Sequence, residues 1–92
     1  MSIYEMKWLV LVGLDQGNHI AEDMNGFNTR KEARVYAKEL KESFSVMAKR
    51  DCENGKPPRR FGVKVVKNDG SLGLLEVSWQ DVRDTILGAN HT

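Results

Sequence analysis

Apolar side chains first crowd together at Trp8-Leu9-Val10-Leu11-Val12-Gly13-Leu14. A strand with one wet face alternates apolar and polar positions. This run does not, so it predicts a central strand covered on both sides. Asp15-Gln16-Gly17-Asn18 predicts a turn, because Gly and Asn tolerate positive φ and Asp can bond its own backbone. His19 to Met24 predicts a short, polar returning strand. Its Glu22 and Asp23 suit a sheet edge, where charge discourages unwanted pairing. Asn25-Gly26 predicts a break in the chain.

The period then changes. Thr29-Arg30-Lys31-Glu32 has the form of a capping box, in which a Thr cap and a Glu three residues on satisfy orphan amides reciprocally. Ala33, Tyr36, Ala37, Leu40, Phe44, Met47 and Ala48 follow at helical spacing on one face. Arg30, Lys31, Arg34, Lys38, Lys41 and Glu42 fall mostly elsewhere, which predicts a long amphipathic helix packed on a sheet, with Phe27 pinning its entry. Asp51 to Arg60 reads as a loop, punctuated by Asn54-Gly55 and Pro57-Pro58.

Phe61 to Lys67 alternates in part, with Phe61, Val63 and Val65 facing one way and Lys64 the other. Asn68-Asp69-Gly70 predicts a hairpin turn, and Ser71 to Val77 a returning strand. Ser78 is then expected to cap a short second helix with Trp79, Val82 and Ile86 on its apolar face, ended by Gly88. Ala89 to Thr92 would be a frayed tail. The expected order is β-β-α-β-β-α. This is an α+β domain: a small antiparallel sheet of about four strands, one long helix packed on it and a short C-terminal helix.

Length changes the picture little. Ninety-two residues make a single domain, 1–92, burying roughly 60–65% of its unfolded surface, with little room for a deep enclosed site. Cys52 is the one cysteine, so no internal disulfide forms, and the expected setting is the cytosol, a host cytosol for a phage-encoded chain. The Trp8–Leu14 run is too short to span a bilayer and lacks the flanks of a signal peptide, so no membrane partner is expected.

Charge is more informative. The net is +1, but residues 1–48 carry net −1, residues 49–67 net +5 and residues 68–92 net −3. The basic zone, Lys49, Arg50, Lys56, Arg59, Arg60 and Lys64 together with Lys67, is the candidate partner-binding site. Two prolines before Arg59 and Arg60 hold the chain extended and limit the entropy lost on binding. The alternative is a charged loop that serves solubility. The basic face of the long helix reads as diluted by Glu39 and Glu42. Glu22, Asp23, Asp81 and Asp84 form an expected acidic surface, and opposed patches suit a protein partner. Trp79 is a candidate interface anchor if exposed, in which case a homodimer is open; otherwise it belongs to the core.

Catalysis finds no support. His19, Cys52 and His91 offer no paired metal-ligand spacing, no Gly-x-Ser-x-Gly elbow occurs, and no glycine-rich phosphate loop is present. No enzyme activity, catalytic residue, metal or cofactor is expected.

The stretch Lys7-Trp8 through Gly26-Phe27-Asn28-Thr29-Arg30-Lys31-Glu32-Ala33 resembles the AP2-like arm-type DNA-binding domains at the start of phage integrases. There a Trp-bearing strand leads through a hairpin to Gly-Phe-x-Thr-Lys-x-Glu-Ala and a helix. In that family the sheet reads DNA and is basic, whereas here the first strand is apolar and the second carries Glu22 and Asp23. The resemblance implies a small accessory protein of phages or mobile elements, of the kind that binds and inhibits host machinery, restriction and CRISPR systems included. The expected function is a small non-catalytic protein-binding module that inhibits or regulates a host protein or nucleoprotein complex. The alternative is a nucleic-acid-binding accessory domain using the 49–67 segment on phosphates.

Overall fold

Three strands and two helices make up the described residues, 6–88, of the computed structural model: β1 (Trp8–Asp15), β2 (Ile20–Phe27), α1 (Arg30–Glu53), β3 (Phe61–Lys67) and α2 (Leu72–Leu87). The expected frayed tail, residues 89–92 with His91, lies outside the described residues. The strands form an antiparallel sheet of order β2-β1-β3, so the most apolar segment of the chain occupies the centre. Its pleat sends Leu9 and Leu11 to one face and Val10 and Val12 to the other, and all four are buried. Each full burial of a side chain such as Leu11 contributes roughly 1.5–3 kcal/mol.

One helix covers each face. α1 lays Ala33 and Ala37 on Val10 and Val12, with Tyr36, Leu40 and Phe44 packing around them against Phe27, Val63 and Val65. α2 lays Val82 and Ile86 on Leu9, Leu11 and Val66. Thr29 caps α1, its Oγ1 accepting the Glu32 N–H at 3.2 Å, but the reciprocal half of the box differs: Glu32 Oε1 accepts from the Thr29 hydroxyl at 2.9 Å and not from the Thr29 backbone N–H. β3 alternates as its sequence predicts, Val63 and Val65 toward α1 and Val66 toward α2.

The architecture is α+β, but three expectations change. The sheet has three strands and not about four, because residues 71–77 are not a strand. Asp69 Oδ1 accepts the Ser71 N–H at 2.9 Å, and Ser71 Oγ accepts the Leu74 N–H at 3.2 Å, so the Asn68-Asp69-Gly70 turn leads into a capped helix instead of a hairpin. The order is therefore β-β-α-β-α, and the C-terminal helix spans 16 residues instead of being short. Leu75, Trp79, Val82 and Ile86 recur at helical spacing, and the face they make outweighs the strand-like run at Leu74-Leu75. Ser78 is not a cap. It is buried mid-helix, and its Oγ donates to the Leu74 carbonyl at 2.8 Å. Gly88 does end the helix, in the left-handed conformation. Second, β2 continues through Asn25-Gly26 to Phe27, so no break occurs there. Third, α1 runs to Glu53, which shortens the expected 51–60 loop and places Lys49 and Arg50 on the helix.

α2 sits close to the sheet because of two glycines that are register partners on neighbouring strands, Gly13 on β1 and Gly62 on β3. A Cβ at Gly13 would lie 2.6 Å from Ile86 Cδ1 and 2.9 Å from Val82 Cγ1. One at Gly62 would lie 2.9 Å from the Val82 carbonyl oxygen. The first obstacle is the end of a side chain, the second is backbone. Overpacking of this kind costs about 1–3 kcal/mol. Gly62→Ala is expected to lower the unfolding free energy by that amount, read as a lower urea midpoint at unchanged m-value. Gly13→Ala is expected to be partly relieved by Ile86→Val, which removes the clashing Cδ1. A double-mutant cycle showing strictly additive losses would refute the shared seat.

Candidate functional site

The expected site begins at the end of α1, where a carboxylate is buried. Asp51 lies near the helix C-terminus, where the dipole disfavours negative charge, and burial makes a partner obligatory. Arg59 supplies it. Its backbone N–H (3.2 Å), Nε (3.0 Å) and Nη2 (3.2 Å) all donate to the Asp51 carboxylate. The Lys56 N–H donates to the Asp51 carbonyl at 2.8 Å. The Arg59 side-chain hydrogen bonds hold the Asp51 carboxyl below its ordinary value, against burial, which pushes it up. The Arg59 N–H and the charges of Arg59 and Lys56 act in the same direction as those bonds.

The other basic residues divide. Arg60 Nη1 donates to the Ile86 carbonyl at 3.4 Å, at the C-terminal end of α2, where cations are favoured. Lys64 pairs with Asp81 of α2. Lys49 and Arg50 are exposed on the last turns of α1, and Lys56 is exposed in the loop. Trp79 is half-buried against the Leu9, Leu11, Val82 and Ile86 cluster, and the Arg83 guanidinium lies 5.9 Å from the centre of its ring. The expected acidic surface is largely engaged within the fold. Arg83 grips Glu22 with two bonds of 2.9 and 3.1 Å, Asp81 holds Lys64, and Asp84 accepts from Gln80 at 2.9 Å.

What the structure brings together is a different set of cations. At ~100° per residue, Arg30, Lys31, Arg34, Lys38, Lys41 and Lys49 fall within one ~100° sector of α1. All six are exposed. Glu39 lies well outside that sector and Glu42 only borders it, so the helix face is not diluted as its linear sequence implies. The sector borders the side of α1 that meets β3. Between them runs an open groove of about 1130 Å³ lined by Arg30, Lys31, Arg34, Val35, Ala37, Lys38 and Lys41 of α1, by Val63, Lys64 and Val65 of β3, and by Trp8. Among the described residues no carboxylate lines it. Arg30 covers the Trp8 ring at 5.7 Å from its centre. The signal was present in the spacing of Arg30, Arg34, Lys38 and Lys41 at i, i+4, i+8 and i+11.

Among the described residues no group of three or more His, Cys, Asp or Glu is placed to hold a metal ion, and no helix is long and apolar enough to cross a membrane. Comparison with family models, with curated proteins and with solved structures returned no match.

The Asp51 clasp has a definite pH signature. Its carboxyl titrates below the ordinary aspartate value in the folded protein. The stabilisation is therefore complete above the unfolded value and is lost as pH falls through the folded one. Asp51→Asn is expected to lower Tm at neutral pH and to flatten the fall of Tm with acidification below about pH 4. Parallel acid profiles for the two proteins would show that the clasp contributes nothing to folding.

Proposed function

We propose that this chain is a small non-catalytic module that binds a partner protein through the positive sector of α1 and the groove beside it. In this reading it acts as an inhibitor or regulator of a host protein or nucleoprotein complex, of the anti-restriction or anti-CRISPR kind that the phage-type resemblance implies. The observation that carries the reading is the carboxylate-free run of exposed cations from Arg30 to Lys41 along one side of a rigid helix. Such a surface steers an anionic partner and fixes its orientation. Lys49 extends the run, with Arg50 and Lys56 close to its C-terminal end. Arg59, Arg60 and Lys64 contribute mainly by holding the loop and α2 in place.

A nucleic-acid partner is the second reading, favoured by one observation. From Arg30 to Lys49 the cations span about 28 Å at ~1.5 Å per residue, long enough to follow several phosphates. Against it, among the described residues Trp8 is the one aromatic ring lining the groove, and Arg30 already lies over that ring.

The test is capture from host lysate with the wild-type chain and with Arg34→Glu/Lys38→Glu, followed by titration of the recovered protein in purified form. The double variant is expected to fold normally and to bind at least about tenfold more weakly. Equal binding by both proteins would remove α1 from the interface. A gel shift of single- or double-stranded DNA or RNA that persists at ~0.15 M salt and disappears in the double variant would instead establish the second reading.

A further inference from the structure

β3 is one of the two edges of the sheet, and the residues around its outer side state what a further strand there would have to be. The Asn68 N–H donates to the Lys7 carbonyl and the Asp15 N–H to the Arg60 carbonyl, both at 2.9 Å. These bonds fix the phase of the β1–β3 ladder. The even-numbered residues of β3 exchange hydrogen bonds with β1, and Phe61, Val63, Val65 and Lys67 direct their N–H and C=O groups to the outer edge. Among the described residues no strand pairs there.

The two faces beside that edge differ in chemistry. On the α1 side stand Arg34, Lys38 and Lys41, with no carboxylate lining the groove. On the α2 side, Leu74 and Val77 lie at i−7 and i−4 from Asp81, whose pairing with Lys64 shows that this flank of α2 faces β3. Both are exposed, at 42% and 60%. A strand laid about 4.8 Å outside β3 would turn alternate side chains to each face.

We infer that the outer edge of β3 receives an extended segment of a partner protein as a fourth strand, and that this segment alternates acidic and apolar residues. The acidic side chains would face the α1 cations, the apolar ones Leu74 and Val77, and the main chain would bond Val63 and Val65. This inference rests on the protein-binding reading above and names its partner's chemistry. A second copy of this chain fits poorly, because edge-to-edge pairing would bring two α1 cation sectors together. A nucleic acid would leave the β3 amides and the apolar flank unused.

The test uses the full chain and a fluorescein-labelled synthetic peptide of alternating Glu and Val. A peptide of the same composition with its Glu and Val residues grouped in two blocks serves as the control. The alternating peptide is expected to bind at least about tenfold more tightly than the control, and to protect the Val63 and Val65 amides from hydrogen exchange. Val65→Pro removes one outward N–H while leaving the β1 ladder intact, and should weaken binding about tenfold. The exchange measurement on the wild-type chain decides the matter even if that variant folds poorly. Binding without protection of those amides, or no preference for alternation, overturns the inference. So does protection that appears without peptide as protein concentration rises, which would assign the edge to a homodimer. Displacement of the peptide by a single-stranded oligonucleotide that binds more tightly overturns it as well. Failure here, with Arg34→Glu/Lys38→Glu still weakening binding of the captured partner at least about tenfold, leaves the protein-binding reading standing. Undiminished capture by that double variant removes the reading itself.

Discussion

A strand apolar on both faces must be covered twice. β1 imposes that demand, with Leu9 and Leu11 on one side and Val10 and Val12 on the other. In a short chain the demand decides the architecture. Helices of 24 and 16 residues are used to cover the two faces, and the remainder suffices for only three strands. β1 takes the centre, and β2 and β3 become edges. Both helices then approach closely by means of small residues, from opposite partners: α1 brings its own alanines to the sheet, whereas α2 rests where the sheet lacks side chains.

Charge sets how α2 lies on its seat. It offers an anion, Asp81, to the cation of β3, and a cation, Arg83, to the anion of β2. Exposed pairs of this kind add little to stability. Their value is discrimination, since a helix rolled the other way would meet like charges on both strands. Two of the four acidic residues that the linear sequence presents as a possible contact surface, Glu22 and Asp81, are thus occupied in orienting a helix. Among the described residues the cations of α1 have no such internal task, Arg30 over Trp8 apart, and they are exposed.

Much of this was legible beforehand, for identifiable reasons. The β1 run, the Thr29 cap, the apolar face of α1 and the phase of β3 each follow from a local pattern with one physical solution. Residues 71–77 had two. Leu72-Gly73-Leu74-Leu75 satisfies strand and helix alike, and only Val82 and Ile86, further along, resolve it. Charge counted in consecutive segments favoured 49–67, yet folding engages Arg59, Arg60 and Lys64 and aligns residues one turn apart on α1. The pairing of Gly13 with Gly62 could not be seen at all, because it depends on strand register.

The Asp51–Arg59 contact ties together the two ends of the connection between α1 and β3, while residues 54–58 lie exposed between them. Once such ends are fixed, lengthening the span is cheap: each doubling of a flexible loop adds only about 0.6 kcal/mol of closure entropy. The hinge of sequence tolerance in this molecule therefore sits beside its most constrained ion pair. An epitope or linker grafted into that span would be carried on the surface, and the layers beneath would keep their arrangement.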